Sequence, residues 1–330
     1  MTSPVAFLFL TRACNLTCEH CYVTAAPGLE GHMALYHFNK ILDLLAACKI
    51  NDIRLTGGEP MVHPHFGEIL TNLSARGIHP RLITNGIRLM NAPSPSTVLD
   101  TLDGCWISVY GLTVEQHRTV GGRATKSLDS ILDFAGEHTK AGSWVGISAL
   151  LSDVDEDALE RFFESACRYG VRRLRFLFSE PSGRALKTGV LFAPEPSIHT
   201  KAQRILNEIR RLGANGNFDS VTLNNPFDLA STDKIQAYSS CMLHQRKMWS
   251  FSPEGGIYSC CFNIYKPAHL VGNVDDPEIN VMLAGPPVGA VFGPRCEGLS
   301  PQFWAKNSTG TSTCPISIVP VENQIQSMFS

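Results

Sequence analysis

The sequence predicts an α/β protein: a partial (β/α)6 barrel followed by a small, loop-rich extension stapled by metal. Three observations carry this reading. Short apolar runs alternate with longer amphipathic runs from Ala6 to about Phe178. The alternation occurs about six times, short of the eight units that close a full barrel. Eleven cysteines gather mainly toward the two ends of the sequence.

The candidate strands are Phe7–Thr11, Ile53–Thr56, Arg81–Thr84, Trp106–Tyr110, Gly146–Leu151 and Leu174–Phe178. Each is a short run in which aliphatic, β-branched or aromatic residues predominate. Between them, Tyr36–Cys48, Phe66–Arg76, Ser127–His138 and Asp155–Tyr169 repeat apolar residues at the spacing of a helix with one buried face. Strand, helix and strand in succession close as right-handed crossovers, so the strands should run parallel. Beyond Glu180 the pattern breaks at Pro181, Gly183, Pro194 and Pro196. One helical stretch, Lys201–Leu212, is followed by Gly-, Pro- and Asn-containing sequence with little periodicity. The expected organisation is a barrel core over 1–185, a connection with its helix over 186–235, and a metal-stapled extension over 236–330.

Composition narrows the function. Hydrophobic residues make up 44% and charged residues 18%, and mean hydropathy is near zero, which excludes wholesale disorder. The net charge is −2 from 28 basic and 30 acidic residues, with no polybasic run. Nucleic acid and an anionic membrane are therefore not expected partners. The N-terminal apolar run ends at Leu10 without a basic lead, and no stretch reaches about 18 apolar residues. A soluble, cytoplasmic protein is expected. Clustered thiols in a reducing compartment point to metal rather than disulfides.

Cys14, Cys18 and Cys21 follow the first strand. Three thiolates at this spacing can wrap an iron–sulfur cube and leave one iron open to substrate. The same residues also suit a Cys3His zinc site through His20 or His32. Cys48, Cys105 and Cys167 stand alone and read as core residues.

The triplet, Gly57-Gly58-Glu59-Pro60 after the second strand, Thr84-Asn85-Gly86 after the third and Ser108-Val109-Tyr110-Gly111 after the fourth form one constellation. It resembles the radical S-adenosylmethionine (radical SAM) superfamily over about residues 5–180. Loops at the C-terminal ends of parallel strands converge, so segments distant in sequence would meet. The resemblance implies a 4Fe–4S cluster on the three cysteines, with S-adenosylmethionine chelating the open iron. Reductive cleavage then gives a 5′-deoxyadenosyl radical that abstracts hydrogen, the electron coming from a flavodoxin- or ferredoxin-type donor. Gly58 and Glu59 would contact the cofactor's ammonium, the glycines letting backbone approach the ligand. His20 and Tyr22 would line the adenine side, and Asn85 and Ser108 the ribose or carboxylate. A plain turn at Glu59, a packed aromatic at Tyr22 and polar strand ends at Asn85 and Ser108 are the alternatives.

Farther on, Cys241, Gly255, Cys260 and Gly272-Asn273-Val274 resemble the SPASM extension or its shortened form, twitch. By that resemblance Cys241, Cys260, Cys296 and Cys314 would hold a second, auxiliary 4Fe–4S cluster. The later cysteine run of a full SPASM domain is missing, and a zinc ribbon would use the same four thiols. Cys261 is then spare, either a buried small residue or a thiol that returns a hydrogen atom to a substrate radical. Only 13 residues precede Cys14, too few for the leader-recognition domain of many peptide-modifying members. The first expectation is therefore a small polar natural product, such as a sugar, aminocyclitol or nucleoside, epimerised with Cys261 as donor. Alternatives are dehydrogenation of a secondary alcohol, with Arg175, Arg184 or His244 as base, and peptide modification. A non-catalytic iron–sulfur or zinc scaffold is the reading outside enzymes.

Overall fold

A computed structural model describes residues 4–122, 125–151, 155–178, 183–188, 198–215, 218–224, 248–258, 261–267 and 270–277. Strand β1 (Val5–Phe9) leads through helix α1 (Leu35–Ala47) to β2 (Asp52–Thr56), and α2 (Phe66–Ala75) leads on to β3 (Arg81–Thr84). Two short helices, α3 (Ile87–Met90) and α4 (Pro95–Leu99), precede β4 (Gly104–Val109). Then come α5 (Val114–Gly121), α6 (Leu128–Lys140), β5 (Val145–Leu151), α7 (Glu156–Tyr169) and β6 (Arg173–Phe178). The remaining elements are α8 (Arg184–Thr188), α9 (Ile198–Asn215), β7 (Ser220–Asn224), β8 (Met248–Phe251), β9 (Gly256–Tyr258) and β10 (Leu270–Asn273). They form one sheet in the order β10-β9-β8-β1-β2-β3-β4-β5-β6-β7.

The six expected strands are present and pair in parallel in sequence order, as right-handed crossovers require. The sheet also extends at both edges. β7 pairs in parallel with β6, with α9 as its crossover helix, so the described part of the expected connection is a further β/α unit. β8 pairs in parallel with β1, and β9 and β10 continue from it antiparallel. The extension thus continues the barrel sheet. These strands are three to five residues long, and β7 reads Ser-Val-Thr-Leu-Asn, too brief and polar for periodicity to announce them.

Alternation along each strand separates two faces. Ala6, Leu8, Ile53, Leu55, Leu82, Ile107, Val109, Leu174 and Phe176 turn outward into the layer of helices. Val5, Phe7, Phe9 and Ile83 turn inward and pack with Tyr258, Cys261 and Ile264. Arg54 on β2 and Arg175 on β6 also face inward, and their guanidinium groups interact. Four strand spacings span about 19 Å on a flat sheet, so that approach reflects curvature into a barrel.

Helix α7 shows how the outer layer is specified. Asp155 caps it by accepting from Ala158 N at 2.6 Å, and Glu156 and Asp157 occupy the first turn. Ala158, Leu159, Phe162, Phe163 and Ala166 form its buried stripe. Phe163 stacks on Phe176 at 5.5 Å and Phe162 meets the same ring edge-on at 6.0 Å. The expectation that the isolated cysteines are core residues holds for Cys105, which is buried, whereas Cys48 is half-buried at the end of α1. Cys167 is exposed, because it lies on the solvent side of α7 between stripe positions.

Phe176→Ala removes an aromatic from the contact of β6 with α7. It should lower stability by about 3–5 kcal/mol, read by urea unfolding with far-ultraviolet dichroism. A loss under about 1 kcal/mol would show that this contact does not hold the barrel wall.

Candidate active site at the strand ends

The cysteine loop opens where β1 ends. Cys14 N donates to Ala26 O at 3.1 Å, which closes the loop on itself. The loop after β2 docks against its entry, with Gly58 N on Thr11 O at 2.8 Å and Glu59 N on Ala13 O at 2.9 Å. A Cβ at Gly57 would stand 2.5 Å from Thr11 O, and one at Gly58 would stand 2.1 Å from Ala13 O. Only glycines permit this docking. The close backbone approach is therefore to Thr11–Ala13 of the cysteine loop, where the sequence reading placed it against a ligand.

Glu59 is fully buried. Its Oε1 accepts from Thr84 Oγ1 at 2.9 Å and Met61 N at 3.1 Å, and its Oε2 from Asn85 N at 2.8 Å. Burial raises its pKa, while the donors from Asn85, Met61 and Thr84 oppose the rise. The carboxylate joins the loops after β2 and β3. Asn85 carries the tie onward: its Nδ2 donates to Asn15 Oδ1 at 2.7 Å and lies 3.9 Å from Cys14 Sγ.

The three thiols share one apolar cluster with Leu16, Tyr110, Val120 and Leu150. Leu16 N donates to Cys14 Sγ at 3.4 Å, and Cys18 Sγ lies 3.6 Å from Gly121 O. Burial pushes the Cys14 thiol up to about 11 and the Cys18 thiol up to about 12. A bound cationic metal reverses that preference by stabilising thiolate. Among the described residues, no three His, Cys, Asp or Glu side chains converge on a single-ion site. His32 Nδ1 pairs with Thr11 Oγ1 at 2.9 Å.

The flanking aromatics separate. His20 packs on Tyr110 at 5.0 Å between ring centres, and its Nδ1 is buried without a partner among the described residues. Burial, with Arg184 nearby, lowers its pKa to about 4, so the ring is neutral and has an unmet acceptor or donor. That orphaned nitrogen beside Cys18 and Cys21 is what a bound group would satisfy. Tyr22 turns instead toward the extension and meets Phe262 edge-on at 5.4 Å. Ser108 faces the lumen in register with Ser148, below the strand ends.

Two supports escaped the sequence reading. Arg184, considered there as a base, clamps the cysteine loop: Nη1 donates to Cys18 O at 2.5 Å and Nη2 to Ala25 O at 2.6 Å. Its own N donates to Cys21 O at 2.9 Å. Gly183 precedes it because a Cβ there would stand 2.3 Å from Tyr22 O. His117 accepts from Tyr110 N at Nδ1 (3.0 Å) and donates from Nε2 to Lys126 O (3.0 Å), which fixes its tautomer. It stacks under Tyr110 at 5.4 Å and so backs the Cys18 pocket. The Gly183-Arg184 pair just after β6 was the available signal for the clamp. Nothing in the sequence pointed to His117.

Cys261 is 6% exposed and packs among the inward residues Phe7 and Phe9 near Arg175. Cys241, Cys260, Cys296 and Cys314 lie outside the described residues, as does His244.

Residues 8–166 match the model of the radical SAM superfamily. The protein contains a radical SAM domain. Over 281 residues it is 29% identical to the mycofactocin maturase MftC of Mycobacterium tuberculosis, covering 83% of this chain and 68% of that protein. It is 28% identical over 208 residues to the PqqA peptide cyclase of Ruegeria pomeroyi, covering 62% and 55%. The structure of SuiB of Streptococcus suis bound to S-adenosylmethionine superposes with a TM-score of 0.69 at 12% identity, over 98% of this chain and 74% of that one, and shows the shared fold. Its radical SAM domain implies a 4Fe–4S cluster and S-adenosylmethionine. No helix among the described residues is long and apolar enough to cross a membrane.

Thr84→Val deletes one donor to the buried Glu59 carboxylate at nearly constant volume. It should destabilise the apo protein by about 1–3 kcal/mol in urea unfolding. A neutral effect would show that Glu59 is not held as described. Arg184→Ala should leave the apo barrel folded by dichroism yet lower iron loading by roughly half or more, since two loop carbonyls, of Cys18 and Ala25, lose their guanidinium donors. Full loading would remove Arg184 from the clamp.

Proposed function

We propose that this radical SAM enzyme modifies a peptide, as a maturase of a precursor peptide. The observation that carries this reading is the likeness to a mycofactocin maturase through both the barrel and the extension, joined by the likeness to a peptide cyclase. The sequence argument put a small polar substrate first. It rested on near-neutral charge and on the short stretch before Cys14, and neither feature weighs against a peptide that enters the barrel without a charged groove. The peptide reading therefore moves ahead of the sugar or aminocyclitol reading.

When bound, the cluster and S-adenosylmethionine supply a radical that abstracts a hydrogen atom from the substrate. Cys14, Cys18 and Cys21 hold the cluster, and Glu59, Asn85 and Arg184 keep their loop in place. His20 lines the adenine side, and Gly58, Asn85 and Ser108 complete the candidate cofactor contacts, whereas Tyr22 packs on Phe262. Cys241, Cys260, Cys296 and Cys314 would hold the auxiliary 4Fe–4S cluster, with a flavodoxin- or ferredoxin-type protein as electron donor. A second reading concerns the outcome of the reaction. Cys261 shares the lumen with inward Phe7 and Phe9, a position from which a thiol can return a hydrogen atom and invert a carbon.

The test is co-expression with each short open reading frame beside the gene, followed by mass spectrometry. A mass change in one peptide that needs the active enzyme supports the reading. Modification of a sugar or aminocyclitol with every such peptide untouched would overturn it. In deuterated water an inverting enzyme should add one deuterium to the peptide, and Cys261→Ala should abolish inversion while still forming 5′-deoxyadenosine. Replacing the auxiliary cysteines should remove about half of the iron. Unchanged iron in all four variants would dismiss the auxiliary cluster.

A further inference from the structure

The charges turned into the lumen can be followed strand by strand. β2 presents Arg54, β3 Arg81, and β6 both Arg173 and Arg175, because Ile53, Leu55, Leu82, Leu174 and Phe176 beside them belong to the helix-facing core. Three of these arginines are neutralised: Arg54 lies 3.1 Å from Asp52, Arg81 3.0 Å from Asp103 and Arg173 2.9 Å from Asp219. Arg175 has no acidic partner among the described residues. Its Nε and Nη2 both reach Ser148 Oγ at 3.2 Å, and its Cζ stands 4.5 Å from the centre of the Trp106 ring. Part of its surface stays accessible. Burial, with Arg54 beside it, lowers its pKa to about 9, which leaves it cationic at neutral pH.

We propose that Arg175, set in place by Ser148 and Trp106, anchors a carboxylate of the substrate inside the barrel. A buried cation without a counter-charge is costly to the fold unless a ligand neutralises it. A positive charge with no acidic partner among the described residues matches a monoanion, and the planar guanidinium fork matches a carboxylate. Two of its N–H donors go to Ser148, which leaves three for the ligand. The ring of Trp106 fixes the plane of the guanidinium, and Phe7 and Ile83 line the same lumen with apolar surface. Arg175 lies three residues before the end of β6, about 10 Å below the rim where the cysteine loop sits. A carboxylate held there leaves the adjoining carbons to extend upward toward the triplet. The bearer of the carboxylate rests on the peptide reading above: the C-terminal carboxylate of a peptide and an Asp or Glu side chain share this chemistry.

The experiment measures dissociation constants calorimetrically on the full-length protein, reconstituted with iron and sulfide and saturated with S-adenosylmethionine. The probes are 3-phenylpropionate against 3-phenylpropionamide, acetyl-Ala-Ala-Phe acid against its C-terminal amide, and acetyl-Ala-Asp-Phe amide. Acids should bind about ten-fold more tightly than the matched amides. Arg175→Gln should erase that difference and Ser148→Ala should narrow it, with iron content and S-adenosylmethionine affinity kept within about two-fold. Tighter binding of the free C-terminus assigns the carboxylate to the end of a peptide, and tighter binding of the Asp peptide assigns it to a side chain. Equal binding of 3-phenylpropionate and its amide overturns the proposal. So does an Arg175→Gln protein that loses S-adenosylmethionine about ten-fold, because the carboxylate would then be the cofactor's own. Discrimination of phenylpropionate through Arg175 with no discrimination among the peptides keeps the site and refutes the peptide reading. Should Arg175→Gln fail to load iron, the acid-dependent change in tryptophan emission must vanish in Trp106→Phe, and its persistence counts against the site.

Discussion

The buried carboxylate of Glu59 is the constraint on which the site depends. It accepts from Thr84, Met61 and Asn85, and its own backbone N–H is docked on Ala13. Through these bonds the ends of β1, β2 and β3 are held in one arrangement, and Asn85 passes the constraint to Asn15 and Cys14. A buried carboxylate is unfavourable without donors and strongly orienting with them. The glycines before it are required for the same reason, since any Cβ would lift the β2 loop off the cysteine loop. The cysteine triplet is therefore positioned by a polar network rather than by its own short sequence.

The far side of the loop is held differently. Arg184 reaches two loop carbonyls from beyond β6, and Tyr110, backed by His117, closes the pocket around Cys18. One side is a carboxylate collecting N–H and O–H donors, and the other is a guanidinium donating to carbonyls. Below both, Arg54, Arg81 and Arg173 are paired with acids, whereas Arg175 has no acidic partner among the described residues. The mouth of the barrel thus favours the cofactors of a radical enzyme, and its floor favours an anionic group.

Much of this was legible in the sequence. The strands from Val5 to Phe178 and the crossover helices showed themselves through periodicity, since each buries a continuous apolar face. The triplet and the Gly-Gly-Glu turn were legible because their residue types admit few other roles at strand ends. What escaped has physical reasons. β7 to β10 are too short to carry a period, and their places in the sheet are set by tertiary pairing with β6 and β1. The role of Glu59 as a tie between loops was hidden because its partners are backbone N–H groups and a threonine hydroxyl, which no pattern of side chains announces. Arg175 read as one of several candidate bases, and its lack of an acidic partner among the described residues emerges only once the acids paired with Arg54, Arg81 and Arg173 are located. The choice between a small polar molecule and a peptide rested on overall charge and on the stretch before Cys14, neither of which touches the lumen.

The most direct test of the account is production of 5′-deoxyadenosine from S-adenosylmethionine under dithionite, by reconstituted wild type and by the triple variant Cys14→Ala, Cys18→Ala, Cys21→Ala. The account requires the wild type to form 5′-deoxyadenosine and the triple variant, still folded by dichroism, to form none. Formation of 5′-deoxyadenosine by the triple variant at the wild-type rate would contradict it.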